Sequence, residues 1–152
     1  MPTQAEKYAV AMAGEHYVAA ELLRRGLAAS VTMGNAKRAD VVVMNPSATK
    51  VVVIEVKSSS RREWIVGSLP PEPSEQPWVF VRVPSDPIEP PEYFIFKARE
   101  LHEILWPLHE AYCTRFQDKH GKPFEGKGVM SLKLADAQPG KNCWSKIVTQ
   151  VV

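Results

Sequence analysis

The residues best equipped for chemistry in this chain are Asp40, Glu55 and Lys57, which edge two apolar runs in the stretch RADVVVMNPSATKVVVIEVKSSS, residues 38 to 60. If residues 46–49 join the runs 40–45 and 50–57 as a symmetric four-residue loop, Asp40 comes directly opposite Glu55. Side chains alternate between the faces of a strand, so Asp40, Val42 and Met44 share one face with Val51, Val53, Glu55 and Lys57 of the partner strand. Two carboxylates and an amine then converge. Facing like charges in an antiparallel pair lie about 5 Å apart at Cβ and repel. The arrangement makes physical sense with cations beside it: Lys57 is one, and a divalent metal would be a second.

Mg²⁺ suits such a site, because it takes hard oxygen ligands, uses one or two protein carboxylates, and leaves its other positions to water and substrate phosphates. Phosphodiester hydrolysis needs a cation that stabilises phosphate charge and acidifies a water, with an adjacent lysine to orient or deprotonate that water. The bland alternative is an edge-of-sheet ion pair between Glu55 and Lys57, which lie two apart on one face.

These residues resemble the PD-(D/E)XK nucleases of the restriction-endonuclease-like fold, which include Holliday-junction resolvases. The likeness rests on Ala39-Asp40, on Glu55-Val56-Lys57, and on the fourteen residues between the two acids. Ala39 stands where the motif's name has proline. The resemblance covers roughly residues 5 to 101, most strongly 11 to 60. It implies Mg²⁺- or Mn²⁺-dependent hydrolysis of DNA, with Asp40 and Glu55 binding metal and the carbonyl of Val56 completing the shell. Lys57 would position or activate the attacking water. In this family a first-helix glutamate often completes the acidic cluster, and the likeness gives that place to Glu15, acting on the metal directly or through water.

Several elements must position these groups. Thr3 and Glu6 have capping-box spacing, and Gly26 offers a left-handed stop, which predicts a helix over residues 4–25. Its apolar stripe reads Ala5, Tyr8, Met12, Ala19 and Leu22, and the position completing the spacing is Glu15. A carboxylate inside a buried stripe is costly unless paired or metal-bound; the alternative is a partly exposed residue at the stripe's edge. Gly14 lowers helix propensity but lets the backbone approach a sheet closely. Glu21 falls on another side and reads as a surface charge.

Residues 27–33 read as a first strand and 34–38 as the turn into the Asp40 strand, giving a helix followed by a three-strand meander. Ser58, Ser59 and Ser60 either contact a phosphate or end the strand. Residues 61–77 hold Pro70, Pro71, Pro73 and Pro77 and predict a long irregular loop near the site, where many members of the resembling family have a helix. Trp64 within it either packs the loop against the body or stacks on an unpaired base. Strands are expected at 78–83 and 93–96, a helix at 98–116 with Pro107 as kink or boundary, an edge strand at 129–134, and a last helix at 142–151 with Trp144 and Ile147 inward.

With 152 residues, 45% apolar and 24% charged, the chain reads as one soluble α/β domain, with a core over about 4–106 and an extension over 107–152. The expected architecture is restriction-endonuclease-like: the N-terminal helix, then an antiparallel three-strand meander in a mixed central sheet flanked by helices. No apolar run approaches the roughly 20 residues of a membrane span, and no charged-then-apolar leader opens the chain, so a cytoplasmic location is expected. Cys113 and Cys143 make no disulfide framework. A zinc site would recruit His102, His109, Cys113 and His120, but no paired metal-ligand motif supports it.

The net charge of +2 conceals segregation: residues 1–62 hold nine Lys and Arg against five acids, 63–110 hold three against nine, and 111–152 hold seven against three. Lys37, Arg38, Arg61 and Arg62 lie beside the proposed acids and, with Ser58, are the candidate nucleic-acid contacts. Solvated basic loops are the plain alternative, as they are for Lys119, His120 and Lys122. DNA is the expected partner, and a homodimer would suit cleavage of two strands. The competing function is a catalytically inactive module of the same fold that binds nucleic acid or a protein, favoured by the weak overall basicity.

Overall fold

The computed structural model describes residues 1–32, 39–126 and 128–152. Helix α1 spans Gln4–Arg24 and starts at a capping box, in which Thr3 Oγ1 accepts from the Glu6 amide and Glu6 Oε2 accepts from the Thr3 amide. Arg25 caps it, and Gly26 then turns the chain at φ +81°, a left-handed conformation glycine takes without strain.

Strands β1 (Ala28–Val31), β2 (Val41–Met44) and β3 (Val51–Ser59) form the antiparallel meander. Asn45 fixes the β2–β3 turn, its Oδ1 accepting from the amides of Thr49 and Lys50 at 2.9 Å. Strand β3 pairs in parallel with β5 (Pro77–Arg82), which pairs antiparallel with β6 (Glu92–Lys97). The central sheet is therefore mixed, in the order β1-β2-β3-β5-β6.

The loop expected over 61–77 is partly a strand. Residues Glu63–Gly67 form β4, which pairs with β7 (Met130–Lys133) in a separate two-stranded sheet. The prolines all lie beyond Leu69 and leave 63–67 free to pair, and Trp64 and Val66 alternate inward between exposed Glu63 and Ile65. Helix α2, Ala98–His120, runs through Pro107 rather than ending there and stops at Gly121. Short α3 (Leu134–Ala137) and a 3₁₀ turn follow, then α4 (Ser145–Val151), which starts later than expected because Asn142 takes φ +55°.

The sheet separates two cores. On one face Val18 and Leu22 of α1 and Ile147 and Val151 of α4 pack on Val41, Val43, Ile54, Val56, Val79 and Val81. On the other, Trp78, Phe80, Phe94 and Phe96 meet Trp64, Leu132 and, from α2, Leu101 and Leu105. Both cores thus draw on residues beyond 107. The α1 stripe is buried only from Gly14 onward; Ala5 and Tyr8, expected inside, are exposed, since the first turns find no neighbour to cover them. Among the described residues no helix is long and apolar enough to cross a membrane.

Candidate active site

The site forms where β2 stops and β3 continues. Val41 pairs with Ile54, and this register, carried one residue further, sets Asp40 against Glu55, as the symmetric loop requires. Asp40 has left the strand, yet its backbone is held from both sides. Its amide donates to Ile54 O at 2.9 Å, and its carbonyl accepts from the Thr32 amide at 2.9 Å and from Thr32 Oγ1 at 3.2 Å. Thr32 Oγ1 also donates to the Ala39 carbonyl.

The Asp40 side chain continues the pairing that its backbone abandons. Oδ2 accepts from the Val56 amide at 2.8 Å. The N–H and C=O of one strand residue point to the same side, so the Val56 carbonyl faces the same open flank of β3 as Asp40.

Among the described residues Glu55 is the one charged residue in the buried set, at 7% exposure. Its Oε1 meets Lys57 Nζ at 3.0 Å, whereas Oε2 is buried and has no hydrogen-bond partner. A carboxylate oxygen in that state costs on the order of 1–3 kcal/mol or more, since it has lost water and gained nothing. Glu55 and Lys57 share a face with Trp78 and Phe80. The indole ring of Trp78 lies 5.7 Å from Lys57 Nζ and steadies the amine by a cation–π contact.

Helix α1 packs on the opposite face, and Gly14 is what lets it approach. A Cβ there would stand 1.7 Å from Ser58 Oγ and 2.8 Å from Ser58 Cβ. The next residue, Glu15, is close enough for both acids to act on it. Its carboxyl is pushed up to about 7, first by burial, then by the charges of Asp40 and Glu55. Three carboxyl groups therefore share one field, balanced within it by Lys57.

A divalent metal fits this donor set on physical grounds. The orphaned Oε2 of Glu55, the Asp40 carboxylate and the Val56 carbonyl are hard oxygens, and the mutual repulsion felt by Glu15 is what a cation would relieve. Among the described residues no three His, Cys, Asp or Glu side chains form a ready-made metal cage, so backbone oxygen and water would have to supply the remaining positions.

The other sequence candidates fall in different places. Arg61 and Arg62 are exposed just beyond the end of β3. Ser58 Oγ is buried under Gly14 and has no hydrogen-bond partner, so this hydroxyl serves the α1 contact and not the surface. Lys37 and Arg38 lie outside the described residues. Trp64 is a core residue, 1% exposed, whose indole N–H donates to Val81 O at 2.9 Å. Glu21 pairs with Arg24 and Arg25. His109 Nε2 and Cys113 Sγ do share a helical face, 3.7 Å apart. Thr32 was invisible to sequence reasoning, because a lone threonine after a short strand carries no signal of the residue it steadies.

No family model matches this chain, and no curated protein does. Among solved structures it is similar to Hjc, a Holliday junction resolvase from the archaeal hyperthermophile Archaeoglobus fulgidus, with a TM-score of 0.51 over 93% of this chain and 98% of that one. Sequence identity is 11%, so the likeness is one of fold. The class is thereby defined: this is a mixed α/β chain of restriction-endonuclease-like fold, with the helix-then-meander order expected from the sequence.

Proposed function

We propose that this chain is a divalent-metal-dependent nuclease that hydrolyses phosphodiester bonds in DNA. The observation that carries the reading is Glu55 Oε2, a buried carboxylate oxygen without a partner on the strand whose Val56 amide grips the Asp40 carboxylate. Folding alone gains nothing from that oxygen, and Lys57 engages only the other one. The fold shared with a Holliday junction resolvase supports the reading at the level of architecture.

Asp40, Glu55 and the Val56 carbonyl would hold Mg²⁺ or Mn²⁺, with Glu15 acting directly or through water. When bound, the metal supplies charge stabilisation at the phosphate and acidifies a water. Lys57 stands where an amine can orient that water toward phosphorus or take its proton, and the Glu55 contact limits the amine's movement. The Trp78 ring, 5.7 Å from the Lys57 ammonium, gives that charge a further partner. Thr32 acts as a positioning residue through the Asp40 backbone.

The test is calorimetric titration of Mn²⁺ into the native chain and into Asp40→Ala, with and without a DNA oligonucleotide. Binding by the native chain that the substitution abolishes is the expected outcome. A native chain that binds no Mn²⁺, even with DNA present, would contradict the reading.

A further inference from the structure

A polyanion cannot be held by the Asp40–Glu55–Glu15 cluster alone, since three carboxyl groups against one amine repel it. Cations must be supplied nearby. Beyond the end of β3 lies an open cavity of about 510 Å³ lined by Arg61, Arg62, Glu63 and, from the other strand of the small sheet, Lys133. Two contacts fix this juxtaposition: Glu63 and Lys133 are directly opposed in the β4–β7 register, and the Leu134 amide donates to Arg62 O at 2.8 Å.

The three cations are uncommitted. Among the described residues Arg24, Arg25, Lys57, Arg82, Lys97, Arg99, Lys141 and Lys146 all enter ion pairs, whereas Arg61, Arg62 and Lys133 enter none; Lys7, Arg115, Lys119 and Lys122 are unpaired too but do not line this cavity. The guanidinium fork matches two phosphate oxygens at once, and the ammonium adds a point charge. Arg61 follows Lys57 by four residues and Arg62 by five, so the chain cannot separate them by more than about 14 and 18 Å. At roughly 3.4 Å of helix axis per phosphate along one strand, those backbone limits correspond to about four or five phosphates, to which the reach of the side chains adds.

We infer that the cavity of Arg61, Arg62 and Lys133 is a phosphate-binding site that grips the DNA backbone on the stretch flanking the bond to be cut. This rests on the nuclease reading and extends it. It makes β7, far along the chain from the acidic cluster, part of the substrate surface.

The test is fluorescence anisotropy of a short labelled duplex with the native chain in EDTA across a salt series, compared with Arg61→Gln, Arg62→Gln, Lys133→Gln and the triple variant. All three positions are exposed, and thermal melting checks that the variants fold. Each substitution should make the slope of log K against log[salt] shallower by about 0.9, and weaken binding about fivefold near 0.15 M salt. Lys50→Gln, at the opposite end of β3, should leave both unchanged. Variants that bind with the native slope and affinity would overturn the inference while leaving the nuclease reading intact. Inorganic phosphate binding that the substitutions abolish, with duplex affinity unaltered, would assign the cavity to a free anion and also overturn it. A native chain that binds no duplex at any salt would overturn both readings.

Discussion

The two faces of the central sheet differ in kind. The α1 face is mainly aliphatic: Val18, Leu22, Val41, Val43, Ile54, Val79 and Val81 are all fully buried, Tyr93 and Trp144 pack beside them, and the acid of α1 nearest to them, Glu15, is only half-buried. The α2 face is aromatic, with Trp64 between the rings of Phe80 and Phe94 at 5.6 and 5.4 Å, and it carries Glu55 and Lys57 at its rim. One strand serves both. Ile54 and Val56 point into the first core, while Glu55 between them is buried on the other side with an unsatisfied oxygen. A face built only for stability would look like the first, and the departure of the second from that pattern is the mark of a site.

Substitutions can break or sharpen this contrast. The largest effect on stability is expected for Trp64→Ala, about 3–5 kcal/mol by denaturant unfolding, because it removes the centre of the aromatic cluster together with the indole hydrogen bond to the Val81 carbonyl. Ile54→Val on the aliphatic face should cost about 0.5–1.5 kcal/mol. Equal losses would erase the distinction between the cores.

Gly14→Ala should destabilise by about 1–3 kcal/mol, since the new methyl collides with Ser58, and Ser58→Gly in the same chain should recover most of the loss. Failure of that rescue would mean that Gly14 matters for helix geometry and not for the approach of α1 to β3.

Glu55→Leu should stay within about 1 kcal/mol of the native chain in metal-free buffer, because an apolar group replaces an incompletely satisfied charge. A loss of several kcal/mol would make Glu55 a structural ion-pair residue, the bland alternative to a site.

The smallest effect is a pH dependence. The fold raises the Glu15 carboxyl from 4.5 to about 7, so the stability it contributes is present below pH 4.5 and lost as pH rises through 7. In EDTA, the melting temperature of Glu15→Gln should therefore match the native chain's near pH 4 and exceed it at pH 8. Parallel melting profiles across that range would remove Glu15 from the acidic cluster.

Much of this was legible in the sequence because its signals are local. The symmetric loop fixes the Asp40–Glu55 register, the period of the apolar runs separates Glu55 and Lys57 from Ile54 and Val56, and the Thr3–Glu6 pair announces α1. What escaped was long-range. Residues 63–67 become a strand only by pairing with residues more than sixty positions away, which composition cannot register. Tyr8 sits at the right helical spacing but beyond the reach of the sheet, and Ser58 reads as a polar strand end until Gly14 is seen resting on it.

The most direct measurement is nicking of a supercoiled plasmid in Mg²⁺ by the native chain, Asp40→Ala, Glu55→Gln and Lys57→Ala, each purified identically. The account predicts cleavage by the native chain that EDTA abolishes. It predicts a fall of about 10³-fold or more on losing either acid, and of about 10²–10⁴-fold on losing the lysine. Nicking that persists at native rates in all three variants, or no nicking by the native chain on plasmid or on a four-way junction, would contradict it.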